Sequence, residues 1–196
     1  MSTPLLSIRS LLAALSCASL AVALAACSSL VPETQRQLEA VDPVRQDVSE
    51  LLLTFDLPAE VQPVAGTTKM SVNFTVAGQP ARQVEAVLVL ADPGDLADAL
   101  PPPASGRAYY FMGFSEADKQ ALRAAQAWAR SAGNASAAGG LTVAPRFCGT
   151  GPVDVSKARF SVKVNLPGAA KDALLIKDET LANALALSNQ TALEPC

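Results

Sequence analysis

The chain of 196 residues contains no histidine. That omission removes the commonest general base, the commonest activator of a nucleophile and the commonest metal ligand together. A Ser-His-Asp triad is excluded outright. Other signatures are missing as well. There is no Gly-x-Ser-x-Gly elbow, and Gly149-Thr150-Gly151 is too short for a dinucleotide fingerprint and has the wrong sequel for a phosphate loop. Dense clusters of Lys and Arg are also lacking. A chain with 15 basic and 18 acidic residues has no concentrated positive charge to set against phosphates, which excludes nucleic acid as a partner. No apolar run reaches the roughly 20 residues that span a bilayer.

What is present begins at the N-terminus. Arg9 is the only charge before residue 27, and Ser10 to Ala26 is dominated by Leu and Ala. These are a short n-region, an apolar h-region and a small-residue cleavage site, the parts of an export signal. An uncleaved N-terminal anchor is the competing reading; the run is short for it, is interrupted by Ser16 and Ser19, and ends in small residues rather than Lys or Arg.

The run ends in Leu24-Ala25-Ala26-Cys27, an aliphatic residue, two small ones and a cysteine. This stretch resembles the lipobox of bacterial lipoproteins, and the resemblance covers Met1 to about Ser29. It implies that the Cys27 thiol carries a diacylglyceryl group, that cleavage falls before Cys27 and that the new amino terminus is acylated. Cys17 lacks the aliphatic-small-small order in Ala14-Leu15-Ser16 before it. Two acyl chains already hold a protein stably on a bilayer, at roughly 0.8 kcal/mol per buried methylene. In that family an Asp directly after the cysteine typically retains the protein at the inner membrane. Ser28 therefore implies the periplasmic face of the outer membrane, with the outer leaflet of the inner membrane as the alternative. The expected organisation is a signal peptide over 1–26, a lipidated tether over 27–46 and one globular domain over 47–196.

Cleavage leaves 170 residues, about one domain. Removing Arg9 from the 15 basic residues leaves 14 against 18 acidic ones, a net charge of −4. With Cys27 lipidated, only Cys148 and Cys196 remain. In an oxidising compartment they are one possible pair, and closing so long a loop stabilises by roughly 4 kcal/mol in the chain-entropy model. Two unpaired structural thiols are the other reading. A cysteine as the last residue has little packing use and a clear stapling use, which favours the disulfide.

Through the domain, period-two patterning predominates. Thr34 and Gln37 make a capping-box pattern for a brief spacer helix. Strands are expected over Val48 to Leu57, Met70 to Val76, Arg82 to Ala91, Arg107 to Phe114, Leu141 to Phe147 and Lys157 to Leu166, with a short one at Leu174 to Ile176. Ala59 to Thr68 and Asn134 to Gly140 read as loops. In Arg82 to Ala91, Val84, Ala86, Leu88 and Leu90 share one side, and Val87 and Val89 the other, so the strand is central. Ser115 caps the one long helix, whose apolar stripe is Ala117, Ala121, Leu122, Ala125, Trp128, Ala129 and Ala132 with Gln126 outside it; Gly133 ends it. A second helix is expected within Asp178 to Leu187. The fold expected is α+β: an antiparallel sheet or sandwich of six to seven strands with one long helix packed on it. A closed sandwich with the helix inserted between two sheet strands is the runner-up.

Half of the Tyr and Phe residues lie in Arg107 to Phe114. As a strand it puts Tyr110, Met112 and Phe114 on one face and Tyr109 and Phe111 on the other. A ligand platform for a glycan or lipid tail at Tyr109, Tyr110 and Phe111 is one reading; a core strand with its hydroxyls at the surface is the other. Ser156-Lys157 are neighbours and point apart in a strand, and the carboxylate pairs Asp92 with Asp95 and Asp178 with Glu179 sit in loops or caps. No catalytic residue, cofactor or metal is expected, and the chain reads as a non-enzyme. The expectation is an accessory or assembly lipoprotein that contacts an envelope protein. A binding module for a glycan, lipid or hydrophobic solute is the alternative, and it requires an apolar pocket reaching Tyr109 or Tyr110.

Overall fold

The computed structural model describes residues 31–133, 135–140, 145–166 and 173–196. Cys27 and the export signal lie outside the described residues, as do residues 141–144 of the strand expected there. In order, the chain forms helix α1 (Pro32–Glu39), a 3-10 turn (Val48–Glu50), strands β1 (Leu52–Pro58), β2 (Val61–Pro63), β3 (Thr68–Val76) and β4 (Arg82–Leu90), and helix α2 (Asp95–Ala99). Strand β5 (Arg107–Phe114), helix α3 (Glu116–Ser131) and strands β6 (Ala135–Gly140), β7 (Phe147–Gly149), β8 (Arg159–Asn165) and β9 (Ala173–Thr180) follow. Helix α4 (Leu181–Leu187) and strand β10 (Glu194–Pro195) complete it.

Seven strands pair in the order β6-β3-β4-β5-β1-β8-β9, every neighbour antiparallel. A second sheet has the order β10-β7-β2. The fold is α+β, mostly strand. One face of the large sheet is the core: Met70, Val72 and Phe74 of β3, Ala86 and Leu88 of β4, Met112 and Phe114 of β5, Leu53, Phe55 and Leu57 of β1, and Phe160, Val162 and Val164 of β8 are all buried there. Each large side chain taken fully out of water contributes about 1.5–3 kcal/mol. Phe147 from the small sheet meets Phe55 edge-on at 6.4 Å and Phe160 at 5.7 Å, which joins the two sheets through one aromatic cluster.

Helix α3 covers the β3–β4 part of this face. The Ser115 hydroxyl caps it, accepting from the amide of Asp118 and donating to the Asp118 carboxylate at 2.8 Å. That carboxylate also accepts the Val87 amide at 3.2 Å, so the cap is tied to β4. Leu122, Ala125 and Ala129 are buried as expected, and the Arg82 guanidinium lies 4.1 Å from the Trp128 ring centroid. Two expectations fail here. Ala117 and Ala121 are exposed, and Gln126 is buried, because its amide donates to the carbonyls of Pro43 and Gln46 at 2.7 and 2.6 Å. Gly133, at φ +71°, supplies the left-handed residue that stops the helix.

Other boundaries move for local reasons. Val48 to Leu51 is not strand, because the Asp47 carboxylate accepts the Ser49 amide and hydroxyl and winds a 3-10 turn before β1. Within Ala59 to Thr68 the chain forms β2, paired with β7. Ala135–Gly140, expected as a loop, pairs with β3 as β6; six small residues carry no strand signal, and the pairing comes from β3. Strand β9 runs through Thr180 and α4 starts at Leu181, with Leu181, Ala184 and Leu185 buried. Leu90, expected on the core side, is 56% exposed at the end of β4. Helix α1 begins at Pro32, with Thr34 inside it rather than as its cap. It packs on β9: the Val31 amide donates to Leu175 O at 3.1 Å and Thr34 Oγ1 to Leu174 O at 2.7 Å.

Candidate functional site

The strand register places the second face of the large sheet residue by residue. Phe111 pairs with Thr54, Thr54 with Lys163, and Lys163 with Leu174, which makes one row across β5, β1, β8 and β9. Tyr109, Asp56 and Ser161 form the next row. Val89, Gly113, Leu52 and Asn165 form the row on the other side. Directly paired residues share a face, so Tyr109, Phe111, Leu52 and Val89 stand together. All four are half-buried, as are Val87 and Ala91, and neither aromatic belongs to the main apolar cluster.

Gly113 shapes this face. A Cβ there would stand 3.3 Å from both Ala91 Cβ and Leu52 Cδ1, so the missing side chain lets Leu52 and Ala91 close over the strand. The space a side chain would take at Gly113 is occupied by Leu52 and Ala91. At the Tyr109 end of this face Arg107 spans three strands: Nε donates to Asp56 Oδ1 at 2.5 Å, Nη2 to Asp56 O at 2.7 Å and Nη1 to Arg159 O at 3.1 Å. Lys163, half-buried, adds a cation next to Thr54 on the β8 side.

Tyr110 stands apart from Tyr109 and Phe111. It faces the core cluster, with the Gln62 side chain of β2 near its phenol. Burial raises its pKa, and the nearby Gln62 side chain offsets only part of that rise. A cavity of about 360 Å³ lies elsewhere, between Asp42, Val44 and Arg45 on one side and Ala129, Arg130 and Gly133 on the other. It is lined by neither tyrosine.

No family model, curated protein or solved structure matches this chain. The site rests on its own geometry.

The remaining candidates separate into local turn chemistry. Ser156 Oγ donates to Asp154 at 2.6 Å and Lys157 pairs with the same carboxylate at 3.1 Å, so neither faces the other as a dyad. Those contacts hold the Asp154 carboxyl below its usual range. Asp92 Oδ1 accepts the Gly94 amide, and Glu179 Oε1 accepts from Thr180 N and Asn183 Nδ2. Among the described residues no group of three His, Cys, Asp or Glu is placed to hold a metal, and no helix is long and apolar enough to cross a membrane. Cys148 and Cys196 stand at disulfide-bonding distance, with Cα atoms 4.9 Å apart, where β10 runs parallel to β7.

The sequence separates Tyr109 and Phe111 from Tyr110 correctly but does not reveal what joins them. The signal was the apolar residues on both faces of β4, with Val87 and Val89 opposite Ala86 and Leu88. Those valines, with Leu52 of β1, extend the aromatic face across three strands.

Proposed function

We propose that this chain is an envelope lipoprotein, anchored through acyl chains on Cys27, that acts without catalysis by holding a partner protein against the outer face of its large sheet. The observation that carries the reading is the half-buried apolar patch of Tyr109, Phe111, Leu52 and Val89 on the sheet face away from the core. A contiguous apolar patch with a polar rim suits a protein contact, whereas a small solute needs a concave site, and the cavity of about 360 Å³ reaches neither Tyr109 nor Tyr110. Arg107 and Lys163 supply the rim. The anchor fits the described fold: Val31 follows Cys27 by four residues, which reach at most about 14 Å when fully extended. An anchored chain therefore carries its β9 edge close to the bilayer, since Val31 is hydrogen-bonded to Leu175.

The test is a photo-crosslinking residue in place of Phe111 in the full-length protein, irradiated in intact envelopes. A discrete protein adduct, absent when the same residue replaces exposed Ala121 of α3 on the core side of the sheet, is the expected result. Adducts with lipid or saccharide alone would transfer the face to solute binding. The anchor is tested separately by Cys27→Ser, which should leave a soluble or unprocessed chain; quantitative partition of the cleaved variant with membranes would refute it.

A further inference from the structure

The sheet face that carries Tyr109 and Phe111 is positively charged, although the chain as a whole has a formal net charge of −3. On β3, β4, β5, β1 and β8 its residues follow from the pairing register and the alternation of burial. Its charged members there are the cations Lys69, Arg107, Arg159 and Lys163 and the carboxylates Asp56 and Glu85. Arg107 takes up the charge of Asp56, and Glu85 stands apart beside Ser71, with Val87 between it and Val89. Lys69, Lys163 and Arg159 have no carboxylate partner among the described residues; Arg159 reaches only the carbonyl of Asp178. These three bracket the apolar patch. Lys69 pairs with Val87 on its β3 side and Lys163 with Thr54 on its β8 side, while Arg159 stands at the Tyr109 end, its carbonyl bonded to Arg107. From β3 to β8 is four strand spacings, which puts the two lysines about 20 Å apart measured across the strands.

We infer that the partner presents an apolar segment flanked by carboxylates, one meeting Lys69 and another Lys163, a chemistry that rests on the protein contact proposed above for the Tyr109–Phe111 patch. Apolar side chains at the centre of a contact remove area from water, while charges at its rim steer the approach and reject wrong partners. A basic segment could cover Phe111 and Val89 equally well, but it would bring like charge to the lysines. A neutral one would bring nothing to them. An acidic segment gains on both sides of the patch, so the rim selects it. The same charges turn away a second copy of this chain. An isologous contact through this face would set its unopposed cations against their own counterparts.

The full-length protein with the photo-crosslinking residue at Phe111 is irradiated in intact envelopes, and the cross-linked partner peptide is sequenced by mass spectrometry. The expected peptide belongs to another protein and carries Asp or Glu on both sides of an apolar stretch. Lys69→Glu and Lys163→Glu should each lower the yield of that adduct about tenfold, whereas Lys69→Arg and Lys163→Arg should keep it. Arg36→Glu, the same reversal on exposed α1, should leave the yield unchanged. Lys69 is exposed, so its reversal is read in a folded protein, with an unchanged melting temperature by circular dichroism as the check. Placing Lys at the partner's acidic position should restore the yield lost with Lys163→Glu. A phospholipid adduct, or no protein adduct, removes the protein contact and its acidic chemistry together. A peptide without carboxylates, a peptide from a second copy of this chain, or a yield indifferent to both reversals overturns the acidic partner and leaves the protein contact standing.

Discussion

The side chain of Gln190 accepts the amide of Phe147 at 2.8 Å and donates to the carbonyl of the same residue at 2.9 Å. Both residues are buried, and the amide group completes Phe147 as a neighbouring strand would. The bond pair fixes the ring that joins Phe55 to Phe160, and it fixes the residue before Cys148.

Gln190→Ala should therefore act well beyond its surface position in the sequence. It leaves a buried N–H and a buried C=O unpaired, at about 1–3 kcal/mol each, so the loss is roughly 2–6 kcal/mol by urea denaturation. Gln190→Glu keeps the acceptor but cannot donate when ionised, and should recover little at neutral pH. A loss under 0.5 kcal/mol for the alanine variant would show that the pair is not holding Phe147.

Gln190 and Gln126 illustrate what could be read from the chain and what could not. Strands β3, β4, β5 and β8 and helix α3 were legible because each repeats its apolar residues at its own period over at least seven positions. Both glutamines occupy positions that read as solvent-facing, and only distant backbone carbonyls and amides, brought near by folding, make them interior. Strand β6 was illegible for the opposite reason: Ala135–Gly140 has no period at all, and its pairing is written in the alternation of β3. The Tyr109–Phe111 face was half legible. Strand periodicity sets its two aromatics on one side, but Leu52 and Val89 join them only through register.

The cysteine pair closes a separation of 48 residues. Intact mass after alkylation, with and without reductant, should show no free thiol from Cys148 or Cys196 until reductant is added; two alkylated thiols without reductant would refute the bond. Reduction removes about 4 kcal/mol of chain-entropy stabilisation. Hydrogen exchange should then rise first from α4 to Cys196, where β10 adds only Glu194 and Pro195 to the small sheet, and later in the large one.

Tyr110 predicts an alkaline limit. Burial raises its pKa in the folded chain, while in the unfolded chain it ionises at about pH 10. The unfolded state loses its proton first, so stability is unaffected below about pH 10 and falls as pH rises through the higher folded value. Tyr110→Phe should flatten that fall. Equal alkaline slopes for the two proteins would place the titration elsewhere.

Asp47 predicts the acid side. Partial burial pushes its carboxyl up, but bonds from the Ser49 hydroxyl and amide and from Arg123 outweigh that and hold it below the usual range. Arg123 also meets Glu50, and Glu50 with Glu116 flanks Lys119, so this cluster ties the 3-10 turn to α3. A depressed carboxyl stabilises above its unfolded pKa, about 3.9, and loses that contribution as pH falls through the lower folded value. Asp47 and Arg123 are 44% and 45% exposed, so screening keeps their ion pair to roughly 0.2–1 kcal/mol. Asp47→Asn retains an oxygen to cap Ser49 and loses only the charge. Its stability should match wild type near pH 2 and fall slightly below it at pH 7. An equal deficit at both values would show that the charge is not its source, since the Arg123 attraction is lost once the carboxyl is protonated.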